Sequence, residues 1–297
     1  MALVLIVVAM ILQFQMKGCV GCVESERMGL LELKSYLNSL DGLGEGSILE
    51  SWSDDDPKSD CCKWERVTCS DAIGGHIVNL SLNALMFMDP PRGLNISLLH
   101  SFPQLKTFAF ADNKFDRLFD PIYGYKSFQR LENLETLDFS GNYFNTSVLS
   151  FLSAARSLRF LNLSSNSLEG VFPPNGFNNF RELEGLDLRN NLIKDLEAGE
   201  GLREMKLKTL DLSWNRFSET ARLKGLKHFV NLQVLKLAGN KFTLTPSIQA
   251  LKDMPKLQEL DLAAIIRRLR QPRLLKALRI DESSRAGFKE ECFDKYA

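Results

Sequence analysis

The sequence predicts an α/β solenoid, a curved stack of short parallel strands, and three observations carry that prediction. The first is a pattern, L-x-x-L-x-L-x-x-N-x-L, which residues 158–168 (LRFLNLSSNSL) satisfy at every fixed position. The second is its recurrence with the Asn in phase, as Leu134…Leu137, Phe139, Asn142, Phe144, as Leu183…Leu186, Leu188, Asn191, Ile193, as Leu207…Leu210, Leu212, Asn215, Phe217, and as Leu232…Leu235, Leu237, Asn240, Phe242. The third is the constant step. First leucines fall at 134, 158, 183, 207, 232 and 257, so neighbouring units start 24 or 25 residues apart.

The physical reason lies inside each unit. In Leu161-Asn162-Leu163 the side-chain period is two, so both leucines face one side of a short strand and Asn162 the other. A later Asn in each unit offers amide donors and an acceptor to backbone groups where the chain turns. One unit cannot bury its leucines alone, whereas stacked units share a continuous core. The expectation is a leucine-rich-repeat solenoid, a curved horseshoe with a parallel inner sheet, closed at its start by a disulfide-tied N-terminal cap. The division expected is a signal peptide at 1–21, the cap at 22–75, about eight repeats at 76–262, and a divergent basic tail at 263–297.

Residues 2–12 form an unbroken apolar run of the length of a secretory signal core, well short of the roughly 20 residues of a membrane-spanning helix. No Lys or Arg precedes it, which departs from the usual signal. A buried terminal helix is the alternative, and cleavage is expected between Gly18 and Cys22. In residues 24–40, Leu30, Leu33, Leu37 and Leu40 recur at helical spacing, and Gly42, Gly44 and Gly46 end the helix. That glycine run has no preceding strand, so it reads as a loop and not a phosphate cradle.

Cysteines stand at 19, 22, 61, 62, 69 and 292. Behind a signal peptide, an adjacent pair with nearby partners reads as disulfides. Zinc is the rival, but His76, His100 and His228 show no ligand spacing to the cysteines. Asp54, Asp55, Asp56 and Asp60 lack the Gly and distal Glu of a calcium loop, so no metal site is expected.

The run Cys22-Val-Glu-Ser-Glu-Arg-Met-Gly-Leu-Leu-Glu-Leu-Lys, then Ser51-Trp52, then Asp60-Cys-Cys-Lys-Trp-Glu-Arg-Val-Thr-Cys69, resembles the N-terminal cap of plant leucine-rich-repeat receptor-like proteins. The resemblance implies the pairing Cys22–Cys61 and Cys62–Cys69. Many relatives have Gly where this chain has Arg66. The segment Glu169-Gly-Val-Phe-Pro-Pro174 is similar to the L-x-G-x-I-P stretch of plant-type repeats. Resemblance covers residues 1–262 and stops where Ile265 takes the place of the Asn. From there nine basic stand against five acidic residues, and 265–280 has the composition of a basic amphipathic helix. A truncation or reading-frame change is the expectation for that tail, with Cys292 alone in it.

With 37 basic and 37 acidic side chains the formal charge is zero, which leaves no basic surface for nucleic acid. No G-x-S-x-G, kinase loop set or H-E-x-x-H is present, so no enzyme and no cofactor are expected. Binding is expected on the inner face instead. Its central column reads Asp138, Asn162, Asp187, Asp211, Lys236, Asp261, mostly acidic and suited to a basic partner. Phe160, Arg189 and Trp214 stand to either side as candidate anchors, because aromatic residues and Arg dominate contact energetics. Asn79, Asn95, Asn145 and Asn162 each open an N-x-Ser/Thr glycosylation sequon.

The resemblance implies a peptide or protein ligand, a role in defence or developmental signalling, and a membrane co-receptor kinase as partner. Location follows as the secretory pathway, at the cell exterior or on its membrane. A secreted inhibitor of a cell-wall-degrading enzyme, similar to polygalacturonase-inhibiting proteins, is the second reading, and a non-functional truncated product the third.

Overall fold

The computed structural model describes residues 21–41, 49–55, 59–85, 92–172, 179–196, 200–218, 226, 228–241 and 254–263. The signal peptide, Cys19, the three loop glycines and the tail with Cys292 lie outside the described residues.

In chain order the elements are helix α1 (Glu24–Asp41), β1 (Val67–Ser70), β2 (His76–Ser81), β3 (Arg92–Asn95), β4 (Thr107–Ala109), β5 (Phe115–Phe119) and β6 (Thr136–Asp138). Next come helix α2 (Val148–Leu152), β7 (Phe160–Asn162), β8 (Glu169–Phe172), β9 (Gly185–Asp187), β10 (Leu192–Leu196), β11 (Thr209–Asp211), β12 (Val234–Lys236) and β13 (Glu259–Asp261). Nine strands form one sheet in the order β1-β2-β4-β6-β7-β9-β11-β12-β13. Only β1–β2 is antiparallel; every later pair is parallel and in register, so Leu137, Leu161, Leu186, Leu210, Leu235 and Leu260 align. The leucines before and after the inner strands are buried, Leu257 at the last strand only partly, and they merge into one core with Phe108, Phe110, Phe139 and Phe144.

The repeated Asn does what its amide permits. Asn191 Nδ2 donates to the carbonyls of Leu163, Leu188 and Arg189 at 2.9, 3.1 and 3.3 Å, while its Oδ1 accepts the N–H of Leu168 at 3.0 Å. Asn142, Asn166, Asn215 and Asn240 bond in the same manner, each tying its own turn to the preceding unit. These amides are buried, so each satisfies backbone groups that water cannot reach.

One residue before each Asn position the backbone turns left-handed. Ala84, Asp112, Gly141, Ser165, Asn190, Trp214 and Gly239 have φ of 52, 57, 63, 55, 53, 56 and 68°. That turn lets their N–H groups reach the next unit's carbonyl, as Asn190 reaches Ser213 at 2.9 Å and Trp214 reaches Ala238 at 2.7 Å.

Two short parallel sheets, β3–β5 and β8–β10, lie outside the main one. The plant-type segment at 169–172 is therefore a strand, and its partner β10 carries no such motif in sequence. The residues around Pro121 and Gly124 follow strand β5 and run into a 3-10 turn at Gly124–Arg130.

The cap is held differently. Disulfides join Cys22 to Cys61 and Cys62 to Cys69, the pairing that the resemblance implied. Asp60 Oδ1 accepts the N–H groups of Cys22 and Cys62 at 3.0 and 3.2 Å, bracing both bridges. Burial pushes its carboxyl up, but those N–H groups and Lys63 win and hold it below the usual range. Helix α1 buries Leu30, Leu33 and Leu37, and Trp52 stacks on Trp64. Glu26, fully buried, accepts the N–H of Ile77 at 2.7 Å and meets His76 Nδ1 at 2.8 Å, fastening the helix to β2. The acidic run is engaged within the cap: Asp54 pairs with Arg27 at 2.8 Å and Asp55 with Ser53 at 2.5 Å; Asp56 lies outside the described residues.

Candidate ligand-binding face

A depression of about 380 Å³ opens on the inner sheet between β6 and β12, lined by residues of five successive strands. Phe160, Arg189, Asp138, Asp187, Asp211 and Lys236 all line it. Trp214 does not: it stands just past β11 on the rim. The anchor patch expected from sequence thus divides into a groove around Phe160 and Arg189 and a separate rim position.

Phe160 projects from the sheet 47% exposed, because the strand period turns it away from buried Leu161. What lets it lie flat is Gly185 on the next strand. A Cβ there would stand 2.8 Å from Phe160 Cδ1, so only glycine leaves the ring its seat. The Trp214 indole has the same arrangement one column over, resting on Gly239, where a Cβ would meet Cδ2 at 2.6 Å.

The acidic column has a structural duty as well. Asp138, Asn162, Asp187 and Asp211 each use Oδ1 to accept the N–H two residues on, at 2.9, 3.0, 3.0 and 2.9 Å, which ends the strand in an Asx turn. Asn162 does this as well as aspartate, so the fold asks for the oxygen and not the charge. The second oxygens face the groove. Asp187 Oδ2 lies 3.3 Å from Arg189 Nε and Asp211 Oδ2 lies 4.0 Å from Lys236 Nζ. Burial is the main reason that the Asp187 carboxyl is pushed above its usual range, with the Asp211 charge adding to it against the Arg189 N–H.

Along one border of the groove runs a feature that sequence reading missed. Lys106, Glu135, Arg159, Glu184 and Lys208 occupy the same place in successive repeats, and their charges alternate. Consecutive contacts measure 3.9, 3.7, 2.6 and 2.6 Å. Lys208 and then Arg159 hold the Glu184 carboxyl down to about 2. Signs that alternate from one repeat to the next are invisible until the units are stacked.

Elsewhere, His100 Nε2 lies 3.1 Å from Ser127 Oγ and 3.9 Å from Asp120 Oδ2. Hydroxyl and carboxylate meet the same ring nitrogen, and Ser127 is fully buried, so this trio is a packing knot without the serial geometry of a nucleophilic triad. Among the described residues no group of three His, Cys, Asp or Glu could hold a metal ion. Of the sequon residues, Asn145 is exposed, Asn162 sits half-buried in the groove, Asn95 caps a 3-10 turn through Oδ1, and Asn79 is half-buried on β2 with Oδ1 unbonded.

Comparison with known proteins agrees with this architecture. Residues 23–70 match the family model described as leucine rich repeat N-terminal domain. Residues 156–204 match leucine rich repeats in two copies, and 133–154 and 206–226 match single leucine rich repeats. Receptor-like protein 1 of Arabidopsis thaliana is 51% identical over 210 residues, 68% of this chain and 19% of that protein. Receptor like protein 21 of the same plant is 40% identical over 219 residues, 72% of this chain and 22% of that protein. The chain thus spans about a fifth of the length of the curated relatives it matches. Among solved structures, the Arabidopsis receptor kinase HAESA in complex with the peptide hormone IDA and the co-receptor SERK1 aligns with TM-score 0.54 at 23% identity, over 80% of this chain and 41% of that one. A plant ice-binding protein aligns with TM-score 0.51 at 21% identity, over 81% and 79%. At such identities these two likenesses concern the fold.

Proposed function

On the premise that this chain has the cap and repeats of the plant leucine-rich-repeat receptor-like proteins, we propose that it is an extracellular recognition module whose groove between β6 and β12 binds a peptide or a protein segment. The observation that carries the reading is Phe160: a large aromatic ring half exposed at the groove, seated on a glycine where a Cβ would meet it. Three carboxylates and two cations around it supply polar contacts for an extended chain. The HAESA complex holds a peptide hormone and a co-receptor, and the same kinds of partner, a peptide and a membrane co-receptor kinase, are proposed here in a defence or developmental pathway. A position outside the cell fits the two cap disulfides, which persist in oxidising compartments. Among the described residues no helix is long and apolar enough to cross a membrane. Of the four sequons, exposed Asn145 is the proposed glycan acceptor.

The test is selection from a displayed peptide library on the secreted protein, followed by titration of the selected peptides against wild type and Phe160→Ala. Loss of at least about 10-fold in affinity with an unchanged melting curve is the expected result, the size of a modest hot spot. Equal binding by both proteins would remove the groove from the account.

A further inference from the structure

Trp214 is the one residue of the left-handed column that the fold does not explain. The other occupants are Ala84, Asp112, Gly141, Ser165, Asn190 and Gly239, all small or able to bond locally in that conformation. A bulky ring at φ 56° is an outlier, and the indole is 62% exposed, so burial does not offset the strain. Strain that is kept where packing gains little marks a functional position.

Its surroundings point to the ligand chemistry. Arg216 follows Trp214 by two residues, and Lys241 follows by two the Gly239 on which the indole rests. Both cations are exposed, and neither has an ion-pair partner among the described residues. The inner face treats its other cations differently: Lys106, Arg159, Lys208, Arg189 and Lys236 each meet a carboxylate within 4.0 Å. A flat apolar platform flanked in the chain by two cations that have no ion pair among the described residues is complementary to a carboxylate carried on an apolar or aliphatic stem.

We propose that Trp214, Arg216 and Lys241 form a second subsite, on the rim beyond β11, that takes a carboxylate of a bound peptide, from an Asp or Glu side chain or from its C-terminus. The inference rests on the reading of the inner face as a peptide site and adds to it a specificity. Groove and rim then differ in charge, the first setting three carboxylates against two cations and the second presenting two cations with no ion pair among the described residues.

The chain's own tryptophans make the test direct, since Trp52 and Trp64 are 1% and 6% exposed and iodide reaches Trp214 alone. Four synthetic ten-residue peptides of one background, with Glu or Gln at the centre and a free or amidated C-terminus, are titrated while iodide quenching is followed. Carboxylate peptides are expected to shield Trp214 at least about 10-fold more tightly than the Gln amide. The central Glu and the free terminus separate the two sources. Arg216→Ala with Lys241→Ala is expected to abolish the difference without moving the melting temperature. Trp214→Asn, which copies Asn190 of the same column, is expected to raise the melting temperature by about 2–4 °C as strain is released. Equal shielding by all four peptides, no shielding by any, or a lower melting temperature for Trp214→Asn would overturn the proposal. Phe160→Ala keeps the two readings apart, because it weakens all four peptides alike and leaves the preference for carboxylates in place.

Discussion

The cap and the repeats bury their polar groups by opposite strategies. In the cap each solution is used once and reaches far along the chain, as Glu26 reaches Ile77 and Tyr36 reaches Gly93, 51 and 57 residues away. In the repeats one solution recurs, with Asn166, Asn191, Asn215 and Asn240 reaching back 27 or 28 residues to the preceding unit and Asn142 reaching back 32 across a longer one. The cap therefore fails as a unit, whereas a repeat fails together with its neighbours. The same contrast leaves the inner face free to vary, because the skeleton beneath it is repeated and the strand-end bond accepts Asp or Asn alike.

The largest expected effect is in the cap. Replacing Cys22 and Cys61 by Ser opens a loop of 39 residues and should cost about 3–4 kcal/mol. In chemical denaturation monitored by Trp52 and Trp64, the cap is expected to unfold ahead of the repeats. A single transition at unchanged midpoint would show that the cap does not need the bridge.

Next comes the ladder. Asn191→Ala orphans the buried N–H of Leu168 and takes one of two amide donors from the carbonyls of Leu163 and Leu188, which keep Asn166 and Asn215, a loss of about 2–3 kcal/mol. Hydrogen exchange should accelerate in β7, β9 and β11 and stay unchanged in α1. Acceleration confined to β9 would mean that units are less coupled than the shared bonds imply.

Arg66 sharpens the contrast from the other side. It holds φ 65° where many relatives have Gly, and its guanidinium donates to the Asn83 carbonyl at 2.7 Å. Arg66→Gly trades that exposed bond for relief of left-handed strain and is expected to stabilise by about 1 kcal/mol or somewhat less. A destabilised variant would show that the Asn83 contact outweighs the strain.

The smallest effect is pH-dependent. Glu184 is depressed to about 2 by Lys208 and Arg159, so the folded state binds fewer protons there than the unfolded chain. Its contribution is complete above the unfolded carboxylate range, near pH 4.5, and is lost as pH falls towards 2. Glu184→Gln should flatten the acid limb of the stability profile between those values, lowering stability slightly at neutral pH, where the contribution is complete, and leaving it unchanged near pH 2. An unchanged acid limb would assign the acid sensitivity to other carboxylates.

What the sequence made legible is what repeats. The leucines, the Asn ladder and the short strands could be read because each recurs at a fixed step. The sequence also marked Arg66 as a departure, although the reason, a left-handed backbone, is a matter of φ. Strand β10 was not legible, since Leu192-Ile-Lys-Asp-Leu196 becomes a strand only against β8. Glu26 stands on a helix and would pass for a solvated charge; its burial depends on β2 lying across it. In the candidate site, Phe160 and Arg189 could be assigned to one face by the period of two, and the structure places both in the groove. Trp214 could not be placed that way, because it lies past the strand, where a left-handed turn resets the direction of the side chains.

The most direct test of the central claim is a hydrogen-exchange footprint of the protein with a library-selected peptide bound. Slowed exchange is expected at β7, β9 and β11, with no change at the exposed apolar stretch of Ile122, Tyr123 and Tyr125 or in α1. Protection centred on residues 119–130 or on the cap, with the inner strands unaffected, would contradict it.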